Sequence, residues 1–282
     1  MLRIAVPNKG SLADAAATML KEAGYRQRST SKELAILDPQ NDVEFFYLRP
    51  RDIAVYVGEG TLDLGITGRD LLIDSGTDAT EVLPLGFGAS TFRLAAEPDT
   101  ISSLEDLAGK RIATAYAGVM ADILKQRGID AKIVRLDGAV ETAIRLGVAD
   151  AVADVVETGT TLRTAGLQII GDEPLLVSEA TLIGREGVAE ESAVQQLLRR
   201  LQGVLVARRY VMLDYDIRGE SLDAAAAVTP GLQSPTVSPL HDEGWFAVRA
   251  MVPSDQTNSI MDELWSLGAR AILVTDIVAC RI

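Results

Sequence analysis

The stretch Asp154-Val155-Val156-Glu157-Thr158-Gly159-Thr160-Thr161-Leu162 takes an apolar strand pattern into a loop with three threonines and a glycine. Free backbone N–H groups and hydroxyls at such a turn suit a phosphate ester, and Gly159 permits a close approach of the backbone. Asp154 and Glu157, at the strand end, have the chemistry to hold ribose hydroxyls or magnesium. The same pattern also serves as a plain capped helix after a strand, where Ser and Thr are favoured anyway.

Asn8-Lys9-Gly10-Ser11 is a second strand-to-helix turn. It lacks the spacing of a Walker loop, so Lys9 would meet a phosphate as a point charge, or else stand as a surface lysine. Leu48-Arg49-Pro50-Arg51-Asp52 and Thr67-Gly68-Arg69-Asp70 also follow apolar strands, at the sheet edge where α/β folds place ligands. An arginine there can clamp a pyrophosphate, and an acid can accept from an adenine amino group. Solvated loop charge is the other reading, and it suits Arg51 and Arg69 better than Arg49. Gly86-Phe87-Gly88-Ala89-Ser90 is a glycine-rich crossing that can act as a hinge, a binding loop or both.

These turns need a scaffold. Residues 2–6, 43–48 and 62–67 read as strands, with a helix from Ser11 to the stop at Gly24 and a short helix or strand at 53–57. A second unit starts near Thr91. It alternates strands at 91–96, 111–114, 132–136 and 151–156 with helices at 104–108, 120–127 and 139–146. This alternation predicts parallel sheets flanked by helices. Gly60-Thr61-Leu62-Asp63-Leu64-Gly65-Ile66 echoes Gly147-Val148-Ala149-Asp150-Ala151-Val152-Ala153, as two similar lobes around a cleft would, although the pattern is common in α/β chains. After a helix at 192–209, the order βαββαβ predicts a ferredoxin-like domain.

The chain's 282 residues exceed one comfortable core. A net charge of −13 argues against tracking nucleic acid, and from Val211 onward four arginines face ten acids. That acidic tail is a poor place for a phosphorylated ligand. Cys280 is the only cysteine and His241 the only histidine, so a Cys/His metal cage within one chain is excluded. Any divalent ion must sit on oxygen ligands or arrive with a substrate. No apolar run approaches a membrane span, the N-terminus carries no signal-peptide pattern, and a cytoplasmic protein is expected. Hydrolase, zinc-protease and dinucleotide motifs are absent.

Taken together, six segments in order resemble the long form of ATP phosphoribosyltransferase, the first enzyme of histidine biosynthesis. They are Ala5-Val6-Pro7-Asn8-Lys9-Gly10-Ser11-Leu12, Leu48-Arg49-Pro50-Arg51-Asp52-Ile53 and Leu64-Gly65-Ile66-Thr67-Gly68-Arg69-Asp70. Leu136-Asp137-Gly138-Ala139-Val140-Glu141, the loop at 154–162 and Thr229-Pro230-Gly231-Leu232-Gln233-Ser234-Pro235-Thr236 complete the set. The resemblance implies a two-lobed, periplasmic-binding-protein-like (type II) catalytic core with a C-terminal ferredoxin-like regulatory domain. Lobe I would be residues 1–90 and 181–210, lobe II residues 91–180, and the effector domain residues 211–282.

The resemblance further implies that ATP and phosphoribosyl pyrophosphate combine with Mg2+ to give phosphoribosyl-ATP. Asp154, Glu157, Thr158, Gly159, Thr160, Thr161 and Leu162 would hold the phosphoribosyl donor. Lys9 and Arg49 would be catalytic, and Gly10, Asp70, Ser90 and Tyr116 would line the nucleotide side. Tyr116 departs from the family pattern, because Ala117-Gly118 follows it where Pro-Asn or similar is usual. Asp216, Leu232, Ser234, Thr236 and Ala271 would contact L-histidine as effector, in a homo-oligomer of dimers or hexamers. A non-catalytic two-lobed binding protein and an amino-acid-responsive regulator are the competing readings. Against the regulator stands the lack of a helix-turn-helix or basic surface.

Overall fold

The computed structural model describes residues 1–156 and 159–281. The first sheet is built from β1 (Leu2–Pro7), β2 (Ala35–Asp38), β3 (Val43–Leu48), β4 (Leu64–Gly68) and β5 (Thr80–Pro84), with helices α1 (Ser11–Glu22), α2 (Pro50–Gly58) and α3 (Arg69–Ser75) between them. The chain then crosses into β6 (Ser90–Ala96), β7 (Arg111–Thr114), α4 (Ala117–Arg127), β8 (Lys132–Arg135), α5 (Thr142–Arg145), β9 (Ala151–Val156) and α6 (Thr160–Thr164). Strands β10 (Gln168–Ile170) and β11 (Leu176–Ser178) follow, and β12 (Ala180–Gly184) returns to the first sheet.

Local sequence explains several of these elements. Helix α1 buries Ala13, Ala16, Met19 and Leu20, the three-and-four spacing of one helical stripe. Gly24 follows at φ +85°, a conformation that a side chain would strain. Helix α2 starts at Pro50, whose fixed φ suits the first helical position. Ile53 and Val57 of α2 are buried together with Ala5 of β1.

The first sheet runs β2-β3-β1-β4-β12-β5, and the second runs β8-β7-β9-β6-β10 with β11 also on β6. Strand β1 is parallel to β3 and β4, and β7 is parallel to β8 and β9. In each sheet a strand from just beyond a crossing pairs antiparallel: β12 with β4, and β6 with β9. This repeated order is that of a two-lobed, type II binding-protein core. The sheets are therefore mixed rather than parallel: β6 and β12 each enter a sheet just after a crossing and run against their neighbours, and β2 runs against β3. The sequence echo falls on β4 and β9, which hold equivalent places in the two sheets.

Other expectations shift. The helix expected at 104–108 is one 3₁₀ turn, Glu105–Leu107. The helix expected at 139–146 shrinks to α5, because Gly138 and Ala139 adopt φ +133° and +48°. Strands β2, β5, β10, β11 and β12 and helix α3 are additional to the expected elements.

Two compact units are present: Met1–Lys21 with Tyr25–Gln195, and Glu22–Gly24 with Gln196–Ile282. The division falls inside α7 (Ser192–Arg209). The second unit continues as β13 (Tyr210–Arg218), α8 (Leu222–Val228), β14 (Thr236–Pro239), β15 (Trp245–Pro253), α9 (Thr257–Ser266) and β16 (Arg270–Asp276). Its antiparallel sheet, β14-β15-β13-β16, is ferredoxin-like as expected. Leu213, Tyr215, Ile217 and Leu264 form its core, where the Tyr215 hydroxyl meets Thr229 Oγ1 at 2.8 Å. Among the described residues no helix is long and apolar enough to cross a membrane.

Candidate active site

Lys9, Gly10, Asp70, Ser90 and Tyr116 come together around one pocket of about 200 Å³. The turn after β1 brings Lys9 and Gly10, the start of α3 brings Asp70, the first crossing ends at Ser90, and Tyr116 precedes α4. Leu12, Pro50, Gly88 and Val155 complete much of the wall. A Cβ on Gly88, itself at φ +66°, would lie 2.5 Å from Leu12 Cδ2, so a side chain there would have to displace the end of Leu12. The glycine-rich crossing is thus part of the pocket as well as a link between lobes. Arg49 is exposed at the start of α2, and its neighbour Pro50 reaches the pocket instead.

Asp70 is almost fully buried. Ser178 Oγ accepts from its backbone N–H at 3.0 Å and donates to its Oδ1 at 2.8 Å. Tyr116 lies edge-on to Phe92 at 5.8 Å, and the Arg51 guanidinium stands 5.1 Å from its ring centre. Burial pushes the Tyr116 hydroxyl well above the usual phenol range; the charges of Asp70 and Asp154 and a hydrogen bond with Asp70 add to this, while Arg51 opposes it. Tyr116 is accordingly a neutral hydrogen-bonding group at any working pH.

A second pocket, about 320 Å³, is lined by Asp154, Gly159, Thr160, Thr161 and Leu162 together with Glu141, Val155 and Val156. Val155 belongs to both pockets. Gly159 sits at φ +68°, and the hydroxyl-bearing Thr160 and Thr161 are exposed. Glu157 and Thr158 lie outside the described residues. Burial raises the Asp154 carboxyl above its ordinary range, with Glu141 and Asp70 adding to the rise and the Val155 N–H opposing it. Among the described residues no three His, Cys, Asp or Glu side chains cluster as a metal site.

The sequence reading of the arginines reverses. Arg51 is paired with Asp74, and Arg69 with Glu81 and Glu179 at 2.8 and 3.3 Å, whereas Arg49 is the exposed one. Glu179 also accepts from the Gly86 N–H at 3.0 Å, so Arg69 and Glu179 tie the two crossings together. Sequence reasoning assigned no role to Glu141, Ser178 or Asp74. Glu141 does close one of the six quoted segments, whereas nothing in the sequence singled out Ser178 or Asp74.

A family profile described as ATP phosphoribosyltransferase matches residues 49–203, and one described as HisG, C-terminal domain matches residues 207–279. The chain belongs to the ATP phosphoribosyltransferase family. It is 66% identical to the ATP phosphoribosyltransferase of Streptomyces avermitilis and 64% identical to that of an Arthrobacter species, each match covering both chains in full. A solved structure, the ATP phosphoribosyl transferase (HisG:HisZ) complex from Thermotoga maritima, matches at 27% identity with a TM-score of 0.63. That match covers 73% of this chain and 98% of the other. The additional C-terminal domain makes this ATP phosphoribosyltransferase a long form.

In the C-terminal unit, Asp216 lies within β13, opposite Ala247 of β15 and Arg270 of β16. Ala271 adopts φ +49° where the β13–β16 register breaks. Thr236 opposes Arg249, which opposes Asp214, so Thr236 and Asp216 share the sheet face turned away from Tyr215. Leu232 and Ser234 are exposed in the loop before β14.

Proposed function

We propose that the enzyme transfers the phosphoribosyl group of phosphoribosyl pyrophosphate to N1 of ATP and releases pyrophosphate. One observation carries this reading: the two pockets share Val155, and the Asp70 and Asp154 charges on their two sides both bear on Tyr116. The pocket at Asp154, Gly159, Thr160, Thr161 and Leu162 takes the donor's sugar phosphate, and Glu157 and Thr158, between them in sequence, are assigned to the donor with it. Gly10, Asp70, Ser90 and Tyr116 take ATP. Holding N1 in line with the ribose carbon as pyrophosphate departs can supply roughly 7–11 kcal/mol in favourable cases. Lys9 and Arg49 stabilise the charge on the leaving pyrophosphate. No residue is assigned as a base.

Asp70, Asp154 and Glu141 make the site acidic, yet its substrates are anionic. A Mg2+ ion carried by the pyrophosphate resolves that conflict, with Asp154 and Glu141 as the carboxylates available to it. When bound, it would neutralise charge as pyrophosphate leaves.

Residues 1–90 and 181–210 form catalytic lobe I, 91–180 lobe II and 211–282 the regulatory domain. L-Histidine acts there as feedback inhibitor through Asp216, Leu232, Ser234, Thr236 and Ala271, in a cytoplasmic homo-oligomer of dimers or hexamers. Incubation with ATP, phosphoribosyl pyrophosphate and Mg2+ under pyrophosphatase coupling should raise absorbance as phosphoribosyl-ATP forms. Lys9→Ala and Arg49→Ala should each lower kcat/KM. Wild-type values in both would remove the assigned role.

A further inference from the structure

Helix α4 begins without a cap of its own. Tyr116, the residue before it, makes no side-chain capping bond, and the first turn holds no acid. Its anion comes from the facing lobe. Asp74 of α3 accepts from the Gly118 N–H at 2.8 Å and the Val119 N–H at 3.4 Å through Oδ1, while Oδ2 pairs with Arg51 of α2. The Asp74 side chain is 7% exposed, so its charge is balanced by these partners and not by water.

Gly118 is what lets α3 come so near. A Cβ there would collide with the Asp74 carbonyl oxygen and lie 3.0 and 3.1 Å from Asp74 C and Cα. These are backbone atoms, so relief would require α3 itself to move. Ile73, next in sequence, packs on the second lobe's core with Phe92 and Met120. Asp70 and Asp74 are four residues apart, one helical turn, and so share a face of α3. One carboxylate meets Tyr116 and the other meets Gly118, two residues on. Arg51 completes the arrangement, held by Asp74 on one side and standing over the Tyr116 ring on the other.

We infer that Asp74 is a positioning residue for the transfer reaction: with Gly118 and Arg51 it clasps α3 to α4 and thereby sets Tyr116 in the nucleotide pocket. This rests on the reading that the Tyr116 pocket takes ATP. A misplacement of Tyr116 should be felt by the nucleotide and not by the sugar phosphate.

The test uses the full chain with Asp74→Asn, Gly118→Ala, Tyr116→Ala and the double variant Asp74→Asn/Tyr116→Ala. Asp74→Asn keeps the shape of the side chain and should lower kcat/KM for ATP about tenfold, the size of loss that misplacement readily produces. KM for phosphoribosyl pyrophosphate should stay within about twofold of wild type in the same variant. In the Tyr116→Ala background the Asp74 change should add little, because both act through one side chain. Gly118→Ala should repeat the Asp74→Asn pattern; if it fails to fold, the Asp74 cycle decides alone. Full additivity of the cycle, or an unchanged ATP value in Asp74→Asn, overturns the clasp. Should Tyr116→Ala alter only the donor's KM, the nucleotide reading falls while the cycle still judges the clasp.

Discussion

Ser178 and Asp70, 108 residues apart, form a closed pair in which the serine hydroxyl accepts from the aspartate's amide and donates to its carboxylate. Both are buried, and Ser178 is the last residue of β11, at the second crossing. The carboxylate assigned to ATP is therefore oriented by the segment that links the lobes.

Ser178→Ala should leave that carboxylate short of a donor at a cost of about 1–3 kcal/mol. Thermal melts should show the loss, and steady-state kinetics should show a raised KM for ATP. A variant with wild-type Tm and KM would mean that the pair is dispensable.

Asp154→Asn should separate stability from activity. Burial raises this carboxyl in the folded state, so the folded chain holds the proton more tightly than the unfolded one. Stability is lost as pH rises from the ordinary aspartate range through the raised value. Above that value the wild-type chain carries the full cost of the ionised group. The Asn variant should melt higher than wild type at neutral pH, with the difference closing in acid, while its KM for phosphoribosyl pyrophosphate rises. Melting curves across pH, paired with donor kinetics, measure both.

The Arg69–Glu81 pair should show the opposite sign. Its hydrogen bond to Arg69 holds the Glu81 carboxyl below the usual range, against a smaller effect of burial. The stabilisation is then present above the ordinary glutamate range and lost as pH falls through the lowered value. Glu81→Gln should cost no more than about 1 kcal/mol, since both side chains remain partly solvated. The gap from wild type should narrow below about pH 4, near the unperturbed glutamate value. A gap that persists in acid would show that packing, and not charge, supplies it.

Asp216→Ala should release the enzyme from histidine while leaving its uninhibited rate near that of wild type. Asp216 lies in β13 of the C-terminal sheet, in a different compact unit from the two pockets. Inhibition curves at saturating substrates check this, and unchanged inhibition would place the effector elsewhere.

The sequence alone determined whatever depends on near neighbours. The α1 stripe, the stop at Gly24, the βαββαβ order and the position of each loop at a strand end follow from short-range periodicity and turn chemistry. The segment proposed for the donor was legible for the same reason, because Asp154, Gly159, Thr160 and Thr161 lie within eight residues of one another and share one pocket. Tertiary structure decided what depends on residues far apart in the chain. Strand direction turned on β6 and β12, which enter their sheets from the far side of a crossing. Whether Arg49, Arg51 or Arg69 was the exposed charge turned on where Asp74, Glu81 and Glu179 came to rest. Ser178 beside Asp70, and Gly118 beneath Asp74, have no local signature. Their meaning lies in a partner brought close by the fold, and a pattern read along one chain cannot register that proximity.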